Sequence, residues 1–374
     1  MTRPVPGTAV PIVLASQMIS GGGTERQLVE LAKAIDKSRF EPHVFCFIDD
    51  ETKRAELTAH GVKVQVLPVR TFVGAGTVGL GFSFARYLRR HRIQLFHAFD
   101  MPFAIFGAPV ARLAGTPVVL TSCRGHRDLY EQKHRRMLRF SDRFVHGIVC
   151  NAAALVDDLT ARGVPPALLR ICHNGIAVSR FPSARREPSP TLTIGTVCVL
   201  RPEKNLELLL RAYGALQERR NLRLRITGSG PVLGSLQALA LSLGLSSPEV
   251  SFQPAVTDVA AELAGIDIFV LPSLSEGLSN SIMEAMISGC TVAASAVGGN
   301  RELVRNGETG MLFDPSRVET LTEVLEELTG NGALRAKLSS AGAAFIRDGF
   351  AMSAAASKMQ AIYDEFLGSN QNPD

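Results

Sequence analysis

The chain has 374 residues, 46% of them hydrophobic, with 33 Gly, 20 Pro and no Trp. That length exceeds one ordinary core and predicts two domains. The longest apolar runs, such as Phe103–Val110, are too short to cross a bilayer. The net charge of +5 is unevenly shared: residues 1–190 hold 26 Lys/Arg against 15 Asp/Glu, and the remainder 14 against 20. A basic first half and an acidic second half point to different partners for the two domains.

The start of the chain carries no secretory pattern, because Val10–Ala15 is a short apolar run holding Pro11. The expected compartment is therefore cytoplasmic. Six scattered Cys with no Cys-x-x-Cys pair read as structural thiols rather than a metal or disulfide framework.

Val10–Ser16 predicts a first strand. It leads into Gly21-Gly22-Gly23-Thr24-Glu25 and a helix with Leu28, Leu31, Ala32 and Ile35 on one face. Such a glycine loop lets backbone approach a ligand and exposes helix-terminal amides, although a plain tight turn uses the same residues. Strand-like and helix-like runs then alternate: Pro42–Ile48, Thr52–His60, Val62–Leu67, Val78–Arg90, Ile93–Ala98, Pro102–Ala114 and Val118–Thr121. This alternation predicts βαβ units and a parallel sheet. His97 closes one strand and Asp100 follows it, while Arg124-Gly125-His126 follows another. A His in that position reads by itself as a packing or hydrogen-bonding residue.

Val145–Cys150, a helix near Ala152–Arg162, and Leu169–Cys172 complete the half, before an Asn174-Gly175 turn. Ser179–Pro190, polar and Pro-rich, reads as a linker. A second alternation runs through Leu192–Leu200, a helix from Leu206, Leu222–Thr227, Val250–Gln253 and Asp258–Ala264. Helices follow at Val318–Thr329, Ala333–Ile346 and Ala354–Phe366, with a tail from Gly368 expected to be disordered. Arg201 and Lys204 project from a loop at a strand's carboxyl end. There they suit a diphosphate, or are simply solvated cations.

The stretch Phe269–Val304 organises the rest. Ile268–Leu271 predicts a strand buried on both faces. Pro272, Gly277 and Asn280 break regular structure, and Ser281 to about Ser288 predicts a helix capped by the Ser281–Glu284 box. Glu276 is thus expected in a loop beyond a strand's carboxyl end, where ligands of open α/β sheets bind. Glu284 is expected in the first turn of the next helix. The Gly298-Gly299 loop adds exposed amides suited to phosphate.

The string Glu276, seven residues, Glu284, then Gly298-Gly299 and Glu302-Leu303-Val304 resembles the donor signature of retaining family 4 glycosyltransferases. The resemblance implies the GT-B architecture: two doubly wound, Rossmann-like α/β domains facing across a cleft. Residues 1–184 would form the acceptor-side domain and 185–350 the nucleotide-sugar domain, with 351–374 returning to the first. It further implies that Glu276 faces the transferred sugar and Glu284 holds the ribose hydroxyls. Arg201 and Lys204 would hold the diphosphate, and His97 would touch the sugar. Gly22, Gly23, Gly228, Val256, Gly277, Leu278, Ser279 and Asn280 would line the donor, and Asp100, Arg124 and His126 the acceptor. His173 stands where the family turn has Pro, and Val199 stands where many members place the phosphate Arg.

The implied reaction is retaining transfer of a sugar from a nucleotide-diphosphate sugar to a hydroxyl acceptor, a glycan or a lipid-linked precursor. No cofactor or nucleic-acid partner is expected, and a metal-held diphosphate is not expected either, since Asp-x-Asp does not occur in the sequence. Two rival readings share the architecture: a nucleotide-sugar 2-epimerase, and an inactive sugar-nucleotide-binding relative. Between Arg86 and Arg143 the chain also concentrates Arg and Lys on two predicted helices, beside Phe84, Tyr87, Leu88, Tyr130, Met137 and Leu138. Cations and aromatics on one helix suit peripheral contact with an anionic membrane, or simply form a solvated basic face or a site for an acidic soluble acceptor.

Overall fold

The computed structural model describes residues 9–67, 75–181 and 190–369. Most of the expected linker, the 184/185 boundary and the tail from residue 370 lie outside the described residues. The chain divides into two compact units, Met1–Gly175 with Met352–Asp374, and Ile176–Ala351.

The first unit alternates β1 (Val10–Ala15), α1 (Gly23–Ala34), β2 (Phe40–Cys46), α2 (Glu51–Ala59), β3 (Lys63–Val66), α3 (Ala75–Arg90), β4 (Leu95–Ala98), α4 (Met101–Leu113), β5 (Val118–Cys123), α5 (Gln132–Ser141), β6 (Gly147–Cys150), α6 (Ala153–Ala161) and β7 (Leu169–Ile171). Its sheet is parallel throughout, in the order β3-β2-β1-β4-β5-β6-β7. Strand pleating sends successive β1 residues to opposite faces. Ile12 and Leu14 enter a core with α1 and α2 residues, and Val13 and Ala15 one with α3, α4 and α5 residues. Burial on both sides explains why β1 reads as a continuous apolar run.

The second unit holds β8 (Leu192–Val197), α7 (Leu206–Ala215), β9 (Leu222–Thr227), α8 (Leu233–Ser242), β10 (Val250–Gln253), α9 (Val259–Ala264), β11 (Ile268–Leu271), α10 (Asn280–Ile287), β12 (Thr291–Ser295), α11 (Asn300–Leu303), β13 (Met311–Phe313), α12 (Val318–Gly330) and α13 (Gly332–Gly349). Its sheet is also parallel, in the order β10-β9-β8-β11-β12-β13. In each sheet the winding reverses once, between β1 and β4 and between β8 and β11. Such switch points open a crevice at the strands' carboxyl ends.

The last helix, α14 (Met352–Ser369), belongs to the first unit. Met359, Ile362 and Tyr363 enter the core shared with α1. Arg170 pairs with Glu365 at 2.5 Å, and the Asp36 amide donates to Gln360 Oε1 at 3.0 Å. Gly175 meets this helix so closely that a Cβ would lie 2.8 Å from both Ala355 Cβ and Met352 Cα. Gln27 clamps the same glycine, donating to its carbonyl at 2.7 Å and accepting from its amide at 2.9 Å.

Two expectations need correction. Phe84, Leu88 and Leu138 do not face solvent with the basic residues but are buried in the core. The helix after Glu276 starts earlier than expected: Ser279 is its cap, accepting from the Ile282 amide at 3.4 Å, so Ser281 and Glu284 form no capping box. Glu284 falls in the second turn instead. Among the described residues, no helix is long and apolar enough to cross a membrane.

Candidate active site

In the second unit the loops after β8, β9 and β11 converge on the switch point. The first two are joined through backbone. Cys198 N donates to Thr227 O at 3.1 Å and Leu200 N to Ser229 O at 3.0 Å. A Cβ on Gly228 would lie 1.9 Å from Cys198 O, and one on Gly230 2.2 Å from Leu200 O. Gly228, at φ +152°, therefore serves close backbone approach. The β8 and β11 loops are joined where Leu274 N donates to Glu203 O at 2.8 Å.

This stitching places Lys204 against Glu276. The ammonium donates to Glu276 Oε1 at 2.6 Å, with side-chain exposures of 19% and 12%. Ser273 Oγ donates to the same oxygen at 2.7 Å. Ser273 is fixed in turn, because its carbonyl accepts from Ser295 Oγ at 2.6 Å. Burial pulls the Lys204 pKa down, but the adjacent carboxylate outweighs it and the net shift is upward. The pair is thus a half-buried, charged contact flanking the crevice, on the strength of groups that come from two different loops.

Arg201 is not drawn in. It is 60% exposed and its nearest carboxylate, Glu203, lies 3.9 Å away. Gly277 O accepts from Gly299 N at 3.0 Å, tying the Glu276 loop to the second glycine loop. Leu278 and Ser279 are buried, Asn280 opens α10, and Glu284 is 6% exposed on its inner side. Val256 is half-buried and lines a 340 Å³ depression with Arg225, Gln253 and Glu262. Sequence reasoning missed Ser273 and Asn300. The Asn300 amide donates to Ser295 O at 3.1 Å, and its buried Oδ1 has no partner among the described residues. Both stand within or beside the signature, which was the available signal.

In the first unit the sequence-derived residues behave differently. Gly22 caps α1 and Gly23 begins it, and a Cβ on Gly22 would lie 1.9 Å from Glu25 Oε2. Asp100 caps α4 by accepting from Phe103 N at 3.1 Å, and also takes Ser16 Oγ at 2.9 Å and the Gln17 amide. Burial pushes its carboxyl pKa up, and these donors oppose that. Asp100 therefore fastens β1 to β4 across the switch point rather than presenting a free carboxylate. His97 is fully buried, with Nδ1 2.8 Å from Tyr363 Oη and Nε2 2.9 Å from Ser122 Oγ. Burial moves its pKa well below the usual histidine value. Neither ring nitrogen is turned to a ligand in this arrangement.

Arg124 stands over the Phe99 ring at 4.6 Å and donates to Asn174 Oδ1 at 2.9 Å. Burial lowers its pKa to about 10. His126 points elsewhere, toward Asp158 at 3.6 Å. Of the acceptor-side trio, Arg124 places a cation at the strands' carboxyl ends in an orientation fixed by Phe99 and Asn174.

The glycosyl transferases group 1 family model matches residues 179–345, and the glycosyltransferase family 4 model matches residues 21–180. A GDP-mannose-dependent alpha-mannosyltransferase of Mycobacterium tuberculosis is 28% identical over 345 residues, 84% of this chain and 85% of that protein. The sulfoquinovosyl transferase SQD2 of Arabidopsis thaliana is 29% identical over 64% of this chain, which spans about half (51%) of that relative. The crystal structure of Anabaena Alr3699/HepE in complex with UDP and glucose matches with a TM-score of 0.83 at 20% identity, over 95% of this chain and 100% of the other. That likeness is one of fold. Two matched segments that adjoin at residue 180, each on its own doubly wound sheet, make this chain a member of the group 1, family 4 glycosyltransferases of GT-B fold.

Proposed function

We propose that this glycosyltransferase passes the sugar of a nucleotide-diphosphate sugar to a hydroxyl acceptor with retention at the anomeric carbon. The acceptor in this reading is a glycan or a lipid-linked precursor. The observation that carries it is the Lys204–Glu276 contact at 2.6 Å beside the β8/β11 switch point. Glu276 spends Oε1 on both Lys204 and Ser273, which leaves Oε2 to accept from a sugar hydroxyl. Lys204, kept cationic by its neighbour, stabilises the charge that grows on the departing diphosphate. Arg201 reaches the same phosphates only by swinging in from solvent. Glu284, buried in the second turn of α10, accepts from the ribose hydroxyls.

No side chain on this crevice is a nucleophile of evident strength. The bond from the anomeric carbon to the phosphate oxygen breaks while the bond to the acceptor oxygen forms on the same face. The acceptor proton passes to the leaving phosphate oxygen. The named relatives include a GDP-mannose-dependent enzyme and the solved neighbour holds UDP, so both nucleotides belong in the test. UDP and GDP sugars are incubated with and without candidate acceptors, and products are read by NMR. Release of nucleotide diphosphate with an axial-to-axial or equatorial-to-equatorial product supports the reading. Inversion at the anomeric carbon overturns retention, and an epimerised nucleotide sugar formed without acceptor overturns transfer in favour of epimerisation.

A further inference from the structure

Helices α3, α4 and α5 pack side by side on one face of the first sheet, sharing the core of Phe84, Phe103 and Leu138. Together their sequences hold eight Lys/Arg and no Asp or Glu. Their outer side is also unusually apolar. Of the ten large apolar side chains exposed among the described residues, five lie on these helices: Val78, Phe82, Leu113, Met137 and Phe140. Phe82 is 74% exposed and Leu113 73%.

The two properties are interleaved on the same surface. On α3 the four-residue spacing sets Val78, Phe82, Arg86 and Arg90 in one exposed stripe. On α5, Lys133, Arg136, Met137 and Phe140 make a second. Phe82, Arg86, Arg89 and Arg90 line a depression of about 620 Å³. Lys133 pairs with Glu131 and Arg135 with Asp128, both carboxylates from outside the helices. Arg86, Arg90, Arg136 and Arg139 have no carboxylate within ion-pair distance among the described residues. Charge complementarity thus calls for an anionic partner. The exposed aromatics call for one with an apolar interior directly behind its charge.

We infer that the α3–α4–α5 face docks on an anionic lipid bilayer, with Phe82, Met137 and Phe140 entering the headgroup boundary and the arginines meeting lipid phosphates. A helix with cations flanking large apolar side chains lies in such an interface. A polynucleotide would use the cations but leave the apolar side chains in water. The inference goes beyond sugar transfer and does not depend on it.

The test is co-sedimentation of the full chain with vesicles, read without donor so that its outcome is separate from the transfer reaction. Vesicles are phosphatidylcholine alone, or a mixture with phosphatidylglycerol, at low and high salt. Binding to the mixed vesicles alone is expected, weakening as salt rises. Each cation near such a surface contributes about fivefold, so Arg86→Gln/Arg90→Gln/Arg136→Gln together should lower partitioning roughly hundredfold. Phe82→Ser/Phe140→Ser should lower it at least tenfold with little change in melting temperature, since Phe82 is 74% exposed and Phe140, 55% exposed, packs at the surface against Phe144 and Arg143. Equal binding to neutral and anionic vesicles, binding to neither, or indifference to the two Phe substitutions would overturn the inference. So would a concentration-dependent dimer that the same Phe substitutions disperse, which would make the face a self-association surface.

Discussion

Tyr363 Oη lies 2.8 Å from His97 Nδ1, joining the last helix to the end of β4 in a fully buried contact. The histidine that sequence resemblance assigns to the sugar is, in this structure, a polar tie between α14 and the first sheet. Tyr363→Phe leaves a buried ring nitrogen unpartnered, which costs about 1–3 kcal/mol. The melting temperature should fall by several degrees while turnover at saturating donor stays within about twofold. A large loss of turnover at an unchanged melting temperature would return His97 to the reaction.

Acid should weaken the first unit through His43. Burial pushes its pKa from 6.5 down to about 4, with the Glu41 carboxylate opposing. A folded-state pKa below the unfolded one means that the unfolded chain binds the extra proton first. Stability is therefore complete above about pH 6.5 and falls as pH drops toward 4, by on the order of 2–3 kcal/mol. Melting curves recorded between pH 7 and 4.5 should slope more steeply for the wild type than for His43→Gln. Parallel curves would assign the loss to other groups.

Gly228→Ala should be severe for a reason of space. Its Cβ would meet Cys198 O at 1.9 Å, and backbone has little freedom to retreat. Forcing the β8 and β9 loops apart should cost about 2–4 kcal/mol and weaken donor binding as well. Gly234→Ala, where nothing lies within 4 Å of a Cβ, is the control and should be neutral. Equal thermal stability of the two variants would refute the close-approach account.

Glu284→Gln should keep the fold and weaken donor binding about tenfold or more, since charge-assisted hydrogen bonds contribute about 1.5–3 kcal/mol. Calorimetry with the preferred nucleotide sugar checks it. A Kd within twofold of wild type would remove Glu284 from the ribose site.

Much of this was legible in the sequence, and the misses have physical causes. β9, β10 and β11 match their expected ranges residue for residue; β11 is buried throughout and reads as one apolar run, whereas β9 alternates Leu222, Leu224 and Ile226 with Arg223 and Arg225. The Ser281–Glu284 pattern is a genuine capping signature, yet Ser279 stands two residues earlier and takes the cap. His97 read by itself as a hydrogen-bonding residue, but its partner was hidden because Tyr363 is 266 residues away in the chain. The basic helices were visible, but the charge run did not say which apolar residues face the core. On α3 the helical turn sends Phe84 and Leu88 inward and leaves Phe82 outside. Helix α8 lacked a clear apolar stripe, and Leu241 is 71% exposed on it.

In the proposed reaction Lys204, held by Glu276, acts on charge that appears only as the diphosphate departs. Steady-state turnover and donor Kd of Lys204→Ala, measured beside Arg201→Ala, test it most directly. Loss of such a charge stabiliser costs about 10²–10³ in kcat. Lys204→Ala should show that loss with donor Kd changed less than about threefold, while exposed Arg201→Ala should lose much less. A Lys204→Ala enzyme whose turnover stays near wild type, with weaker donor binding as its sole defect, would contradict the account.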